Sequence, residues 1–430
     1  MNRKPSMFVV FLTVFIDLVG FGIIVPLVPM YSRHYGASGF MIGVVIASFS
    51  AMQFIFSPIW GRLSDRYGRR PILLISTAGA SISYVIFALA SGLENHVTGL
   101  WLMLVSRMFA GACGGNITVA QAYVADITKP EERSKKMGLI GMAFGLGFIF
   151  GPAISGIMLK FFGPTAPGWA AAALCGFNFV LAYMILVESL KPDSTKAGNR
   201  PRFAQWGHTL AQPKIGLLIV IFFLATFAFS CFESTLPLLV SDDFNLGSIV
   251  DDAKPATTVI KLFVFCGLIA ACIQGGMIGR LVKMFGEPSL IAMSLIMTGA
   301  SLVLLPLVKG DGPLSWSKVL HLADTPWLLM LAVLLLLSFG SSLSRAPLFG
   351  MLSNLTPANE QGATIGVAQS AGSLARIVGP LFAATLYGHL PMLPYLICGG
   401  ISILTGLIVW PMLRGKSGSA LVSNSKTPNI

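Results

Sequence analysis

The sequence predicts an all-α integral membrane protein, with twelve transmembrane helices arranged as two pseudo-symmetric six-helix bundles. Three observations carry this. Of the 430 residues, 55% are hydrophobic and only 11% charged, whereas soluble domains carry roughly 25% charged residues; mean hydropathy is +0.79. Twelve apolar runs of about 20 residues, the length that crosses a bilayer, occupy a little over half the chain and leave only short connections. The two halves also repeat each other. Gly61-Arg62-Leu63 with Gly68 recurs as Gly279-Arg280-Leu281 with Gly286, Gly151-Pro152 as Gly379-Pro380, Arg107 as Arg345, and Asp126-Ile127-Thr128 as Asn354-Leu355-Thr356.

The spans fall near 7–31, 40–60, 71–92, 100–124, 138–161, 169–189, 215–240, 257–278, 288–308, 327–350, 363–388 and 392–413. The first begins like a signal peptide, but Asp17 interrupts its apolar run and no small-residue cleavage site follows, so it is kept as a helix. Spans 2 and 3 are joined by GRLSDRYGRRPILL, Gly61 to Leu74, which reads as a tight basic hairpin. Gly61 and Gly68 permit close approach and a sharp turn, while Asp65 can cap a helix or pair with Arg66, Arg69 or Arg70. The polar stretch 190–214, with Pro192, Pro201 and Pro213, reads as a tether between the halves, with a short amphipathic helix around 203–210 as the alternative. The chain thus divides into a first bundle (1–189), a linker (190–214), a second bundle (215–413) and a tail (414–430) with the composition of a disordered segment.

Lysine and arginine orient the spans. Of the 29, Arg107, Arg345 and Arg376 fall inside spans. With the N-terminus inside, twenty of the rest face the cytoplasm and six, among them Arg33, face outward, which excludes the inverted topology. Both termini are then cytoplasmic and the acidic loop 241–252 is external. A net charge of +12 would suggest nucleic acid in a soluble protein; here it is a topological signal, and the macroscopic partner is the lipid bilayer. The six cysteines sit in apolar runs without metal-ligand spacing and read as packing residues, so no metal site is expected. The five histidines map to connections, and no Gly-rich loop for ATP is present. No cofactor is expected, and the energy must come from an ion gradient or from the substrate's own gradient.

The costly residues are those inside spans. Asp17 lies about ten residues into span 1, where a carboxylate costs roughly 2.5–3.5 kcal/mol, so it should face a wet cavity or a partner. Glu233 in span 7 is its counterpart. Arg107, Arg345 and Arg376 occupy spans 4, 10 and 11, and an arginine cannot discharge, so each needs an acid, backbone carbonyls or water.

The Gly61–Leu74 stretch resembles the loop G-x-L-a-D-r-x-G-r-k between helices 2 and 3 of the major facilitator superfamily, matching every defining position; in the second copy Val282 and Lys283 replace its Ser and Asp. Gly22 to Tyr31 is similar to the G-x-x-x-P-x-x-P-x-Y run of the drug:proton antiporters. LVSRMFAGACGGN resembles their helix 4 motif, with Ala110 for a polar residue. Gly138, Gly147, Gly151, Pro152 and Gly156 fit their motif G-x8-G-x3-G-P-x-x-G-G, with Ser155 for the first of the final glycines. FESTLPLL around Glu233 resembles the acid-bearing helix of multidrug exporters, while Ser342 stands where an acid is sometimes found.

The resemblance covers essentially the whole chain and points to the twelve-helix branch that includes tetracycline-efflux and multidrug exporters. It implies a cavity lined by spans 1, 4, 7 and 10, with substrate near mid-membrane. It also implies proton-coupling or cavity positions for Asp17, Arg107, Glu233 and Arg345, with Arg376 a further buried cation in span 11 whose role the sequence does not assign. Gly61, Asp65, Arg66, Gly68, Arg69, Arg70 and Asp126 would form a latch in which Asp126 pairs with Arg66 or Arg69 in the outward-open state. The implied protein is a monomer of the bacterial inner membrane exporting amphiphilic drugs against protons by alternating access. The alternative is an exporter or facilitator of an endogenous metabolite, organic anion or lipid, which the surplus of arginines favours. A transport-dead receptor would have lost these charges, and no nucleophile–base or metal constellation suggests an enzyme.

Overall fold

A computed structural model describes residues 5–114, 116–128, 133–189, 207, 209–247, 254–356 and 361–414. The first six spans are Met7–Ile24 with Val28–His34, Gly39–Tyr67, Arg69–Ser91, His96–Cys113 with Asn116–Ile127, Arg133–Phe162 and Ala166–Ile185. The second six are Pro213–Asp243, Lys254–Cys272 continued through a π turn into Ile278–Phe285, Glu287–Leu304, Thr325–Ser342 with Arg345–Leu355, Gln361–His389 and Leu393–Arg414. Eleven of these pass as membrane spans by length and hydropathy alone. Span 11 is long enough at 29 residues, but Gln369, Ser370, Ser373 and Arg376 dilute its apolar character.

The two halves pack alike. In the first, span 1 lies on spans 5 and 6, span 3 on spans 4 and 6, and span 2 on span 4. The second repeats each pairing six spans later: 7 on 11 and 12, 9 on 10 and 12, 8 on 10. The halves meet through spans 2 and 11, spans 5 and 8, and the outer piece of span 1 against span 7.

Several helices are interrupted where the sequence suggested continuous spans. In span 1 the break at Val25–Leu27 surrounds Pro26, which lacks the N–H a continuous helix would use. Span 4 breaks at Gly114, span 10 at Leu343–Ser344, and span 8 carries its π turn at Ile273–Met277. Interrupted helices beside a central cavity are the usual way such folds free backbone for a ligand.

The basic hairpin is also tighter than expected. Span 2 stays helical through Tyr67, and span 3 starts at Arg69, so the turn is Gly68 alone, at φ 103 and ψ 156. Gly286 does the same between spans 8 and 9, at φ 75 and ψ 155. Both values lie where essentially only glycine is found, which explains why the repeat keeps this residue although other signature positions have diverged. A Cβ at Gly68 would also overlap Glu188 Oε2, whereas one at Gly286 has nothing nearer than Pro288 Cδ at 3.9 Å. Gly68→Ala is therefore expected to cost about 1–3 kcal/mol from backbone strain plus the displacement of Glu188, and to lower the unfolding temperature in detergent more than Gly286→Ala.

Span 7 begins at Pro213, inside the stretch assigned to the linker; proline suits the first helical turn because its missing N–H would be unpaired there anyway. Most of the linker (190–206 and 208), the tip of the acidic loop (248–253) and the tail from 415 lie outside the described residues.

Candidate functional site: a charged cleft between the halves

Spans 1, 2, 4, 7 and 11 enclose a cleft lined by Phe21, Phe49, Ser50, Arg107, Ser230, Glu233, Ser234, Arg376 and neighbouring apolar residues. Arg107 comes from the first half and Glu233 and Arg376 from the second. Arg107 is 4% exposed, with its guanidinium 4.7 Å from the Phe49 ring centroid and 5.7 Å from that of Phe21. Two aromatic rings thus stabilise the cation. Its Nε and Nη1 are buried without a hydrogen-bond partner. Arg376 donates through Nη2 to Ser373 Oγ at 3.3 Å. Glu233 feels the charge of both guanidiniums, yet among the described residues no ion pair joins it to either.

Asp17 is placed differently from the sequence expectation. Its carboxylate lies between spans 1 and 6, 5% exposed, and accepts a hydrogen bond from Asn178 Nδ2 at 2.8 Å. The same amide nitrogen donates to the Thr13 carbonyl at 2.8 Å. Asp17 is thus held inside the first bundle rather than lining the cleft, because an asparagine on the neighbouring helix supplies the partner that its burial demands. Arg345 is corrected too. It opens the second piece of span 10 and is exposed, close enough to Arg376 for the two cations to repel. Arg107, by contrast, sits before the break in its own span, so the two arginines of the repeat are not in equivalent places.

The cleft is shut at one end. Arg33 Nη1 pairs with Asp242 Oδ1 at 2.7 Å, and Tyr387 Oη donates to Asp242 Oδ2 at 2.7 Å, tying spans 1, 7 and 11 together. Gly39 and Gly43 seat span 2 directly on the backbone of span 11 at Ala384 and at Pro380–Leu381. Toward the opposite end, that of Gly68, Arg345 is exposed.

At that end the signature residues are bound within the first half. Arg69, 7% exposed, pairs through Nε with Asp126 Oδ2 at 3.0 Å and donates through Nη1 to Ser64 Oγ at 2.6 Å. The backbone N–H groups of Arg69 and Arg70 donate to the two oxygens of Glu188, at 2.8 and 3.1 Å. A remote carboxylate therefore caps the N-terminus of span 3, where the helix dipole also favours negative charge. Arg70 clamps span 6 by donating to the carbonyls of Leu186 and Tyr183. The Asp126 pair was expected to mark the outward-open state. It is instead formed with the Arg33 end closed, because it ties helices of one half and does not cross between halves. Arg66 is exposed over the Tyr67 ring, Gly61 lies 3.9 Å (as a Cβ) from Thr118, and the side chain of Asp65 lies outside the described residues.

The glycine motif of span 5 builds a crossing. A Cβ at Gly147 would come within 2.9 Å of Leu18 backbone, and one at Gly151 within 2.6 Å of Gly22 Cα. Gly156 faces Ile260 of span 8 across the interface, its Cβ position 3.1 Å from Cγ2. Pro152 stays within the continuous helix, and the surroundings of Gly138 lie outside the described residues. Gly151→Ala must push two backbones apart and is expected to cost about 1–3 kcal/mol, read as a lower unfolding temperature.

Sequence reasoning missed Asn178, Glu188, Phe49 and Tyr387. Two of them left a trace: Asn178 is an amide in the middle of the apolar run 169–189, and Glu188 an acid near its end.

Comparison with known proteins adds the following. The model of the Major Facilitator Superfamily matches residues 10–322. The tetracycline resistance protein, class E, of Escherichia coli is 32% identical over 395 residues, covering 90% of this chain and 88% of that one. Multidrug resistance protein 2 of Bacillus subtilis is 29% identical over 432 residues, covering 98% and 99%. The crystal structure of the human organic anion transporter MFSD10 shares the fold, with a TM-score of 0.67 at 24% identity over 95% of this chain and 100% of that one.

Proposed function

Because the chain belongs to the major facilitator superfamily, we propose that it is a proton-coupled exporter of amphiphilic small molecules, tetracycline-like or broader in range. Its family is one of membrane transporters, not enzymes, and its relatives include tetracycline and multidrug resistance proteins. The observation that carries the reading is the meeting of Arg107 and Glu233, from opposite halves, in a cleft closed at one end. Charges this costly to bury are accounted for when they meet cargo and protons in turn.

In this reading the cleft loads cargo from the Gly68 end, which faces the cytoplasm. The Arg33–Asp242–Tyr387 tie then parts while the Gly68 end closes. A proton from outside reaches Glu233, displaces the polar group of the cargo, and is carried inward on the return. Asp17 acts as a positioning residue that holds span 1 to span 6. The protein works as a monomer in a bacterial inner membrane with both termini in the cytoplasm.

The test is cargo-driven proton movement. Purified protein in proteoliposomes holding a pH dye should move protons when tetracycline or a lipophilic cation is added, and protein-free vesicles should not. Binding of both compounds without proton movement would replace the antiporter by a facilitator. Neither binding nor movement would sink the transporter role for such cargo.

A further inference from the structure

We infer that the cleft also accepts organic anions, and that it binds them together with a proton rather than in exchange for one. This rests on the reading of the cleft as the transport site and goes beyond it in cargo class and in the sign of coupling.

Charge inventory is the first observation. Arg107 and Arg376 line the cleft, and Arg345 is near enough to Arg376 to add positive charge there. Against the two cations that line the cleft its lining offers Glu233 alone, since Asp17 is turned away onto Asn178. No ion pair neutralises any of the three among the described residues.

The second observation is independent. Arg107 is 4% exposed and has two buried nitrogens, Nε and Nη1, without an acceptor. A buried guanidinium short of acceptors is costly, and a carboxylate or sulfonate supplies oxygen atoms in the matching planar geometry. Phe21 and Phe49 lie together against the guanidinium, their ring centroids 4.9 Å apart, which leaves its unpaired N–H groups for a ligand. The rings also present apolar surface for the body of the molecule.

The sign of coupling follows from what surrounds Glu233. It is faced by Arg107 from span 4 and Arg376 from span 11, and by Ser50, Ser230 and Ser234, none of which carries negative charge. An ionised Glu233 competes with an incoming anion for the guanidiniums; a protonated one does not. Proton and anion therefore favour each other, whereas a cation takes the place of the proton.

The probe is 2-naphthoate, compared with its neutral amide, 2-naphthamide, on full-length protein in phosphatidylcholine nanodiscs between pH 5.5 and 9. We expect naphthoate to bind about tenfold or more tighter than the amide, and to weaken by about tenfold as pH rises. Glu233→Gln should bind naphthoate tightly at every pH. Arg107→Gln should lose about tenfold or more for naphthoate with little change for the amide, and Arg107→Lys should recover part of the loss. Equal binding of the two probes, no binding of naphthoate, a flat pH profile in the wild type, or a pH trend that persists in Glu233→Gln would each overturn the inference. Competition by added phosphatidylglycerol would support the anion site and assign its occupant to a lipid headgroup; absence of competition would support it and assign a soluble anion. None of these binding results depends on cargo-driven proton movement, so failure of the export reading is seen separately.

Discussion

Glu233→Gln is expected to leave the protein folded and to abolish cargo-driven proton movement, with a loss of about a hundredfold or more in the coupled rate. Glu233 is the one carboxylate lining the cleft among the described residues, so its replacement by an amide leaves nothing there that can take up and release a proton. Folding should survive, because Glu233 makes no ion pair whose loss would strand a partner. Cargo binding should persist, which separates a coupling defect from a binding one. Asp17→Asn is expected to behave otherwise. The Asn178 bond can be kept by an amide oxygen, so proton movement should remain while the unfolding temperature shifts by a few degrees. If Asp17→Asn silences proton movement and Glu233→Gln does not, the roles of the two acids are reversed.

Gly43→Leu is expected to hold the Arg33 end open. A Cβ at Gly43 would lie 2.7 Å from the Pro380 carbonyl oxygen and 2.8 Å from Leu381 Cα. These are backbone atoms of the other half, and no side-chain rotation relieves the overlap. Such overpacking costs about 1–3 kcal/mol, which is about 5- to 150-fold in the balance between the two states. Spin labels at Phe40 and Leu390, both exposed at this end, should move apart in the variant, and transport should stop. An unchanged label distance would mean that the halves do not separate along spans 2 and 11. Asp242→Asn should act in the same direction but weakly, because the Arg33–Asp242 pair is 46% and 35% exposed and such pairs contribute little.

What could be read from the sequence depended on whether its cause was local. Gly68 was legible because one position needing a backbone that only glycine adopts leaves the same mark in both halves. Arg107 and Glu233 were legible because a charge in an apolar run demands a reason wherever the run packs. Asp17 met the same criterion and was misassigned to the cleft. Its partner, Asn178, lies 161 residues away, and nothing local says which face of span 1 the carboxylate takes. Arg345 was misplaced although Pro347, which cannot bond the Leu343 carbonyl one turn back, marks the break at Leu343–Ser344 in the sequence. Phe49 could not be told from the many phenylalanines that face lipid, since only packing turns its ring onto Arg107.

The anchorage at the end of span 6 has a mechanical consequence. Within three consecutive residues, the Val187 carbonyl accepts from Tyr123, Glu188 holds the start of span 3 and Ser189 donates to Asp126. The chain then leaves for the other half. Any tug transmitted along it is taken up at this three-point fastening, much as a clamp relieves a cable at its socket, and is shared among three helices before it can unwind one. Without Glu188 the start of span 3 would lose its share of that load, leaving it to span 4.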